Sequence, residues 1–462
     1  MRFDEPFLKD ALSQVSIIGK SFPKDVSFSI DSRTLKKGDI FLALEGKNSD
    51  GHDAIKAALK KGASGIFLKE SKKKILDSID SKLRKDKLIV VVEDTLDALV
   101  KLATAWRTQF DCPVVAITGS VGKTTTKEMV SNILKVNGTE HVASFENQNT
   151  KIGLSLNVLK MRAEHKAGIF ELGISKRGDM SELVDILKPT ISLITCVGHS
   201  HMEGLGSLAD IAAEKRQVFK YFTNESIGVV NGDQPILSDV GYDHPVIKFG
   251  SKTTNQIQAR KINIGNGKIS FVIKIYNKKY SAAIEGTHAG MVYNAIAAAS
   301  VAYLLNVSDA NIVKGIQVPI TISSRFEKRS ISKGRGFIIN DCYNASPESM
   351  KAALLALEHI DTDAKKIAVL GDMLELGVNS PFWHRQLGRI LRKTPSLRHV
   401  ILVGDMVNWT KKTLPIGVSC EHVESWEKAE EKLNAIMDKE ALVLVKGSNG
   451  MNLGSLVEKF TS

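Results

Sequence analysis

Along the chain the spacing of apolar and polar positions changes several times, and each change marks an element. Ile40 to Leu44 is a short apolar run, Ala54 to Leu59 repeats at helical spacing, and Gly65 to Leu68 is apolar again. This first stretch reads as a small α/β domain ending near residue 85. Leu88 to Val92 then predicts a strand and Leu96 to Trp106 a helix, and these open a second stretch. Within it Val114 to Ile117 is a buried-strand pattern, Met129, Val130, Ile133 and Leu134 recur on one helical face, and Asn137-Gly138 offers a stop. Ala167 to Phe170 and Ile191 to Val197 predict two more strands. Between 256 and 286 the period falls to two, with turn signals at Gly265-Asn266-Gly267 and Asn277-Lys278-Lys279, which predicts antiparallel hairpins followed by a helix over Tyr293 to Leu305. The pattern breaks around Val318-Pro319, and the second boundary is set near 322. Strands at Phe337 to Asn340, Ile367 to Leu370, Val400 to Val403 and Leu442 to Val445 then alternate with helical stretches, the pattern of a doubly wound parallel sheet. The expected fold is α/β in three domains, 1–85, 86–321 and 322–462, the last a doubly wound, Rossmann-like sheet.

Composition narrows the class. The 462 residues hold ample apolar content for real cores, and no run of about 18 apolar residues suggests a membrane span. Met1 to Glu5 carries acids and no apolar leader core, so a cytoplasmic protein is expected. Cys112, Cys196, Cys342 and Cys420 are far apart without a C-x-x-C pair, which favours free thiols over a disulfide framework or a zinc site. The net charge of +12 is spread along the chain, and its densest cluster, Lys69 to Lys74, reads as a solvated face. An acidic small molecule is therefore preferred over nucleic acid or a membrane surface as the partner, and a monomer is expected.

Candidate chemistry centres on Thr118-Gly119-Ser120-Val121-Gly122-Lys123-Thr124-Thr125-Thr126. A strand, a glycine-containing turn and a helix start direct backbone N–H groups at one spot, so Gly119, Ser120, Gly122 and Thr125 are expected to cradle phosphates. Lys123 adds a point charge for the β/γ-phosphates, and the Thr124 hydroxyl is a hard oxygen of the kind Mg²⁺ prefers. The first glycine of the full loop pattern is missing, because Ile117 stands there. Glu171 and His201 each come at the end of a predicted strand, where ligands gather in open α/β sheets; Glu171 is a candidate for Mg²⁺ and His201 for metal or phosphate. Lys215 shares a helical face with Ile211, Val218 and Phe219, so it is expected to point inward and to have a depressed pKa. The amide-rich run Ser144 to Gly153 reads as a loop able to recognise a sugar or amide ligand. Asp31-Ser32-Arg33 and Asp50-Gly51-His52 read as polar turns.

Taken together, TGSVGKTTT, FELG, HMEGLGS, AAEKRQV, SSRFE, NDCYNASPESM, LGDMLELG and VKGSNGM, in that order, resemble the Mur ligases from about Asp31 to Leu453. The resemblance implies an ATP- and Mg²⁺-dependent ligase that joins D-alanyl-D-alanine to UDP-N-acetylmuramoyl-tripeptide through an acyl phosphate, in peptidoglycan precursor synthesis. It implies that Ser32 and Arg33 contact the UDP portion, and Asn147, Asn149 and Thr150 the muramoyl peptide. Lys123 is implied as the phosphate and catalytic lysine, with Thr124, Glu171 and His201 around the metal and Asn294, Arg325 and Asp341 at the nucleotide. Lys215 matches a lysine that several family members carbamylate, giving it and His201 catalytic roles by resemblance. Three positions depart from the family pattern: Met291 and Asn449 replace an Asn and an Arg, and Ser324 replaces a Gly. Another Mur or folylpolyglutamate-type ligase, or a non-catalytic nucleotide-binding relative, remains an alternative at this stage.

Overall fold

The computed structural model describes residues 2–19, 21–23, 26–265, 267–437 and 440–461; Met1 and Asn266 lie outside them. The chain divides into two compact units.

The first unit comprises the chain up to Ala116 with Thr139–Gly173 and Met180–Thr190. Its five-stranded sheet has the order Val15–Ile18, Leu88–Val92, Gly65–Lys69, Ile40–Leu42, Phe28–Ser29, parallel except where Val15–Ile18 meets Leu88–Val92. Leu88–Val92 is buried along its whole length and flanked on both sides by strands of this sheet. Periodicity detects such a strand and carries no information about its partners. The helix Thr95–Arg107 follows, capped by Asp94, whose side chain accepts from the Asp97 N–H, and it buries Leu99, Leu102 and Trp106. Also in this unit, His141–Ala143 pairs parallel with Ala167–Glu171.

The second unit comprises Ile117–Gly138, Ile174–Asp179 and the chain from Ile191 onward. Ile191–Ile194, Ile227–Asn231, Val246–Gly250 and Ile257–Gly265 run parallel, and the sheet continues from Ile257–Gly265 through Lys268–Ile275 and Lys278–Glu285 in antiparallel pairs. Against it the helix Gly290–Leu304 packs beside Lys123–Val136, the helix that follows the phosphate loop. A six-stranded sheet follows, ordered Glu327–Ser330, Gly336–Asn340, Ala441–Lys446, Lys365–Gly371, His399–Val403, Ser419–Val423, with only Glu327–Ser330 antiparallel. Val443 lies in one buried cluster and Leu444 in another. Successive strand residues therefore enter separate cores, as a doubly wound sheet covered on both faces requires.

Candidate active site

The phosphate loop forms because two positions need glycine. Gly119 and Gly122 have φ of +146° and +86°, and a Cβ on either would meet Thr195 Oγ1 at 1.9 Å or Asn294 Oδ1 at 2.3 Å. The loop is then tied from behind. Thr195 Oγ1 donates to Val121 O at 2.7 Å, Ser120 N donates to Cys196 O at 2.9 Å, and Gly198 N donates to Ser120 Oγ at 2.8 Å. Lys123 opens the following helix, and its Nζ donates to Gly119 O at 2.9 Å, so the ammonium lies across the loop. Thr124 is buried at the helix start and Thr125 is half-buried. Asn294 reaches the same helix, its Oδ1 3.4 Å from the Thr126 hydroxyl.

Lys215 lies in the last turn of the helix Leu208–Arg216, which a Ser207–Asp210 capping box begins. Its side chain is 2% exposed, on the inward face with Ile211. Burial first, and then the charge of Lys123, pull its pKa down to about 7 against the opposing effects of Cys196 and Glu214. His201, at φ +60°, precedes the short helix Met202–Leu205, and its Nδ1 lies 2.5 Å from Glu375 Oε2. That contact holds the Glu375 carboxyl below its ordinary range and leaves Nε2 of His201 for another partner. Beyond residue 322, the Arg325 guanidinium stacks 3.9 Å over Tyr343. Asp341 accepts from Lys446 Nζ at 2.8 Å and from Phe326 N at 3.1 Å.

The remaining candidates belong to the first unit. Glu171 ends its strand fully buried, accepts from Asn149 Nδ2 at 2.7 Å, and its own N–H donates to Ser144 Oγ at 3.0 Å. Thr150 caps the helix Lys151–Val158, and Asn147 is exposed beside it. Ser32 and Arg33 sit on a turn where Arg33 Nη2 lies 2.7 Å from Asp31 Oδ2, which holds the Asp31 carboxyl at about 2. Glu45, Asp50 and His52 gather donor atoms within 4.8 Å of one another, yet they do not form a cation site. His52 Nε2 accepts from the Lys69 N–H and Nδ1 faces Asp50 at 2.6 Å, so both ring nitrogens are used, and Lys69 and Lys72 already neutralise the carboxylates.

The Mur ligase family catalytic domain matches residues 27–107, the Mur ligase middle domain 117–302, and the Mur ligase glutamate ligase domain 324–449. A UDP-N-acetylmuramoyl-tripeptide--D-alanyl-D-alanine ligase of Rickettsia prowazekii is 32% identical over 448 residues, 93% of this chain and 94% of that protein. The chain belongs to the Mur ligase family. Among solved structures this Mur ligase resembles MurF from Acinetobacter baumannii, with TM-score 0.83, 26% identity and coverage of 99% and 98% of the two chains. MurF from Thermotoga maritima, solved in complex with ADP, gives TM-score 0.77, 28% identity and coverage of 94% and 97%. As a family member it is an ATP-dependent ligase that forms an amide bond.

The three departures now have locations. Ser324 has φ +58°, the conformation that makes glycine the favoured residue, and its Oγ accepts from Asn340 Nδ2 at 3.2 Å. Met291 sits in the first turn of the helix that carries Asn294, and Asn449 is exposed. Sequence reasoning missed Glu375 and Glu348, which meet His201 and His199. Acids in loops and first helical turns look ordinary, and no local signal sets these two apart.

Proposed function

We propose that this Mur ligase uses ATP to join D-alanyl-D-alanine to UDP-N-acetylmuramoyl-tripeptide, a step of peptidoglycan precursor synthesis serving cell shape and division. The carrying observation is similarity over 93% of the chain to a ligase named for that reaction. A carboxylate resists attack by an amine, so ATP first converts the peptide carboxylate to an acyl phosphate; the amine then attacks and phosphate leaves. In this reading the amides of Gly119 to Thr125 and the Lys123 ammonium hold the phosphates and offset charge that grows in the transition state. Lys123 leaves the Gly119 carbonyl to do so. Asn294, Arg325 and Asp341 hold the nucleotide, Ser32 and Arg33 the UDP end, and Asn147, Asn149 and Thr150 the peptide.

Mg²⁺ fits the donor chemistry. The Thr124 hydroxyl and the buried Glu171 carboxylate are hard oxygens, His201 retains Nε2, and a carbamate on Lys215 would add a third oxygen donor. When bound, Mg²⁺ supplies a positive charge on the phosphates. Functionally we divide the chain into a UDP-substrate part, a central ATP-binding part and a C-terminal part from about 322. No helix among the described residues is long and apolar enough to cross a membrane. We place the protein in the cytoplasm, where ATP is available, and read it as a monomer.

The test is phosphate release by the purified chain, with the product identified by mass spectrometry. Release should require ATP, the UDP-tripeptide and D-alanyl-D-alanine together, and the product mass should equal the sum of both substrates less water. Equal stimulation by glutamate or a single L-amino acid would assign the chain to a sister family. Lys123→Ala should abolish release while circular dichroism stays unchanged.

A further inference from the structure

The helix Pro347–Glu358 begins with Ser346 as N-cap and Pro347 in its first turn, and Glu348 comes next. An acid there ordinarily faces its own helix amides. Glu348 instead turns to the segment behind the phosphate loop. Its Oε1 accepts from His199 N at 3.0 Å and from His199 Nδ1 at 2.6 Å, and the His199 ring packs 4.2 Å from that of Trp383, which lies on the helix Ser380–Ile390. The carboxylate also presses on Gly198: a Cβ there would fall 2.8 Å from Glu348 Cδ. Gly198 and Ser120 are bonded in both directions, Gly198 N to Ser120 Oγ at 2.8 Å and Ser120 Oγ to Gly198 O at 3.0 Å. A continuous set of short contacts thus runs from Glu348 through residues 198–199 to the phosphate loop. Among the described residues, Glu348 Oε2 is buried without a hydrogen-bond partner, an unfavourable arrangement that capping its own helix would not require.

We propose that Glu348 is a positioning residue, through which the part of the chain beyond 322 sets the phosphate loop for ATP. The role rests on the ligase reading only for its kinetic readout. Glu348 touches no phosphate in this account. It fixes the backbone at Gly198 and His199, and Ser120 passes that constraint to the amides that hold the nucleotide. When the constraint is lost, nucleotide affinity should fall while the sites for peptide and amine stay intact.

The experiment uses the full chain, steady-state kinetics with each substrate varied in turn, and calorimetric titration with a non-hydrolysable ATP analogue. Glu348→Ala should raise the KM for ATP and weaken analogue binding about tenfold, the scale of a lost charge-assisted hydrogen bond, with the other two KM values within about twofold. Glu348→Gln keeps the Oε1 acceptor and should recover most of the loss. Gly198→Ala should weaken ATP binding because its Cβ displaces the carboxylate, yet add nothing once Glu348 is alanine, where that clash is gone. Unchanged analogue binding in Glu348→Ala, or additive losses in the double variant, would overturn the proposal. If Glu348→Ala does not fold, the analogue affinities of Gly198→Ala and Glu348→Gln decide. If the wild-type chain shows no release dependent on D-alanyl-D-alanine, the ligase reading fails while the titrations still decide the role of Glu348.

Discussion

At Lys215, burial and the nearby charge of Lys123 act in the same direction, so the amine is half neutral at about pH 7. In the unfolded chain the same group titrates near 10.5, so between these two values the unfolded state binds more protons and stability from this residue rises with pH. The neutral amine is also the form that adds CO₂ to give a carbamate, which would turn a cation near Lys123 into an oxygen donor. If the carbamate serves as proposed, Lys215→Ala should lose about 10–100-fold in turnover, with partial recovery on adding a short carboxylic acid. Wild-type activity should fall in CO₂-depleted buffer, and more steeply below pH 7; an active Lys215→Ala enzyme would leave the lysine a packing role alone. Ser324 is a second residue-scale case. Its left-handed backbone costs about 1–2 kcal/mol relative to glycine, and its hydrogen bond from Asn340 returns about 1 kcal/mol. Urea unfolding should find Ser324→Gly within about 1 kcal/mol of wild type and Ser324→Ala less stable by about 1 kcal/mol, since alanine keeps the strain and loses the bond.

Elements of this fold were legible where one local stretch carries the reason for them. The strand Val114–Thr118, the two glycines and the helix Lys123–Val136 are contiguous, and the inward lysine at 215 follows from helical spacing alone. Contacts between distant stretches were not legible. His199 and Glu348 are 149 residues apart, and neither Ile227–Asn231, interrupted by Gly228, nor the five-residue Val246–Gly250 is periodic for long enough to stand out. Asp233 shows what holds such elements once formed. It accepts from Ser251 N at 2.6 Å, Ser251 Oγ at 2.8 Å, Lys252 N at 3.0 Å, Asn255 Nδ2 at 2.9 Å and Tyr293 OH at 2.7 Å, tying two strand ends to the helix Gly290–Leu304. Burial pushes its pKa up, but the donors outweigh burial and hold it at about 2. A depressed carboxyl stabilises above its unfolded value near 3.8 and loses that contribution as pH falls through about 2. Asp233→Asn should cost about 1–3 kcal/mol in urea unfolding at pH 7, and the gap to wild type should narrow between pH 4 and 2. A constant gap over that range would mean that the charge of Asp233 is not what the donors hold.

For the molecule as a whole, sequence boundaries and compact units divide the chain differently. Residue pattern places boundaries at 85 and 321; Leu88–Val92 completes the first sheet, and the division between the compact units falls at Ala116/Ile117, inside a single strand. A cut read from composition cannot see a strand shared in this way, because the division lies in spatial contacts and not in any change of residue type. The net charge of +12, by contrast, is a property of the whole chain and bears on every substrate differently. ATP and the UDP-tripeptide are polyanions, while D-alanyl-D-alanine is a zwitterion with no net charge. A positive surface raises the encounter rate for the first two and leaves the third unaffected, and salt screens that attraction over a Debye length of about 10 Å at 0.1 M. Raising KCl from about 20 to 200 mM should therefore lower kcat/KM for ATP and for the UDP-tripeptide several-fold while kcat and the KM for D-alanyl-D-alanine stay nearly constant. An equal decline for all three substrates would point to salt acting on the fold or on the chemical step, and no decline would mean that the excess positive charge lies away from the routes by which the anions arrive.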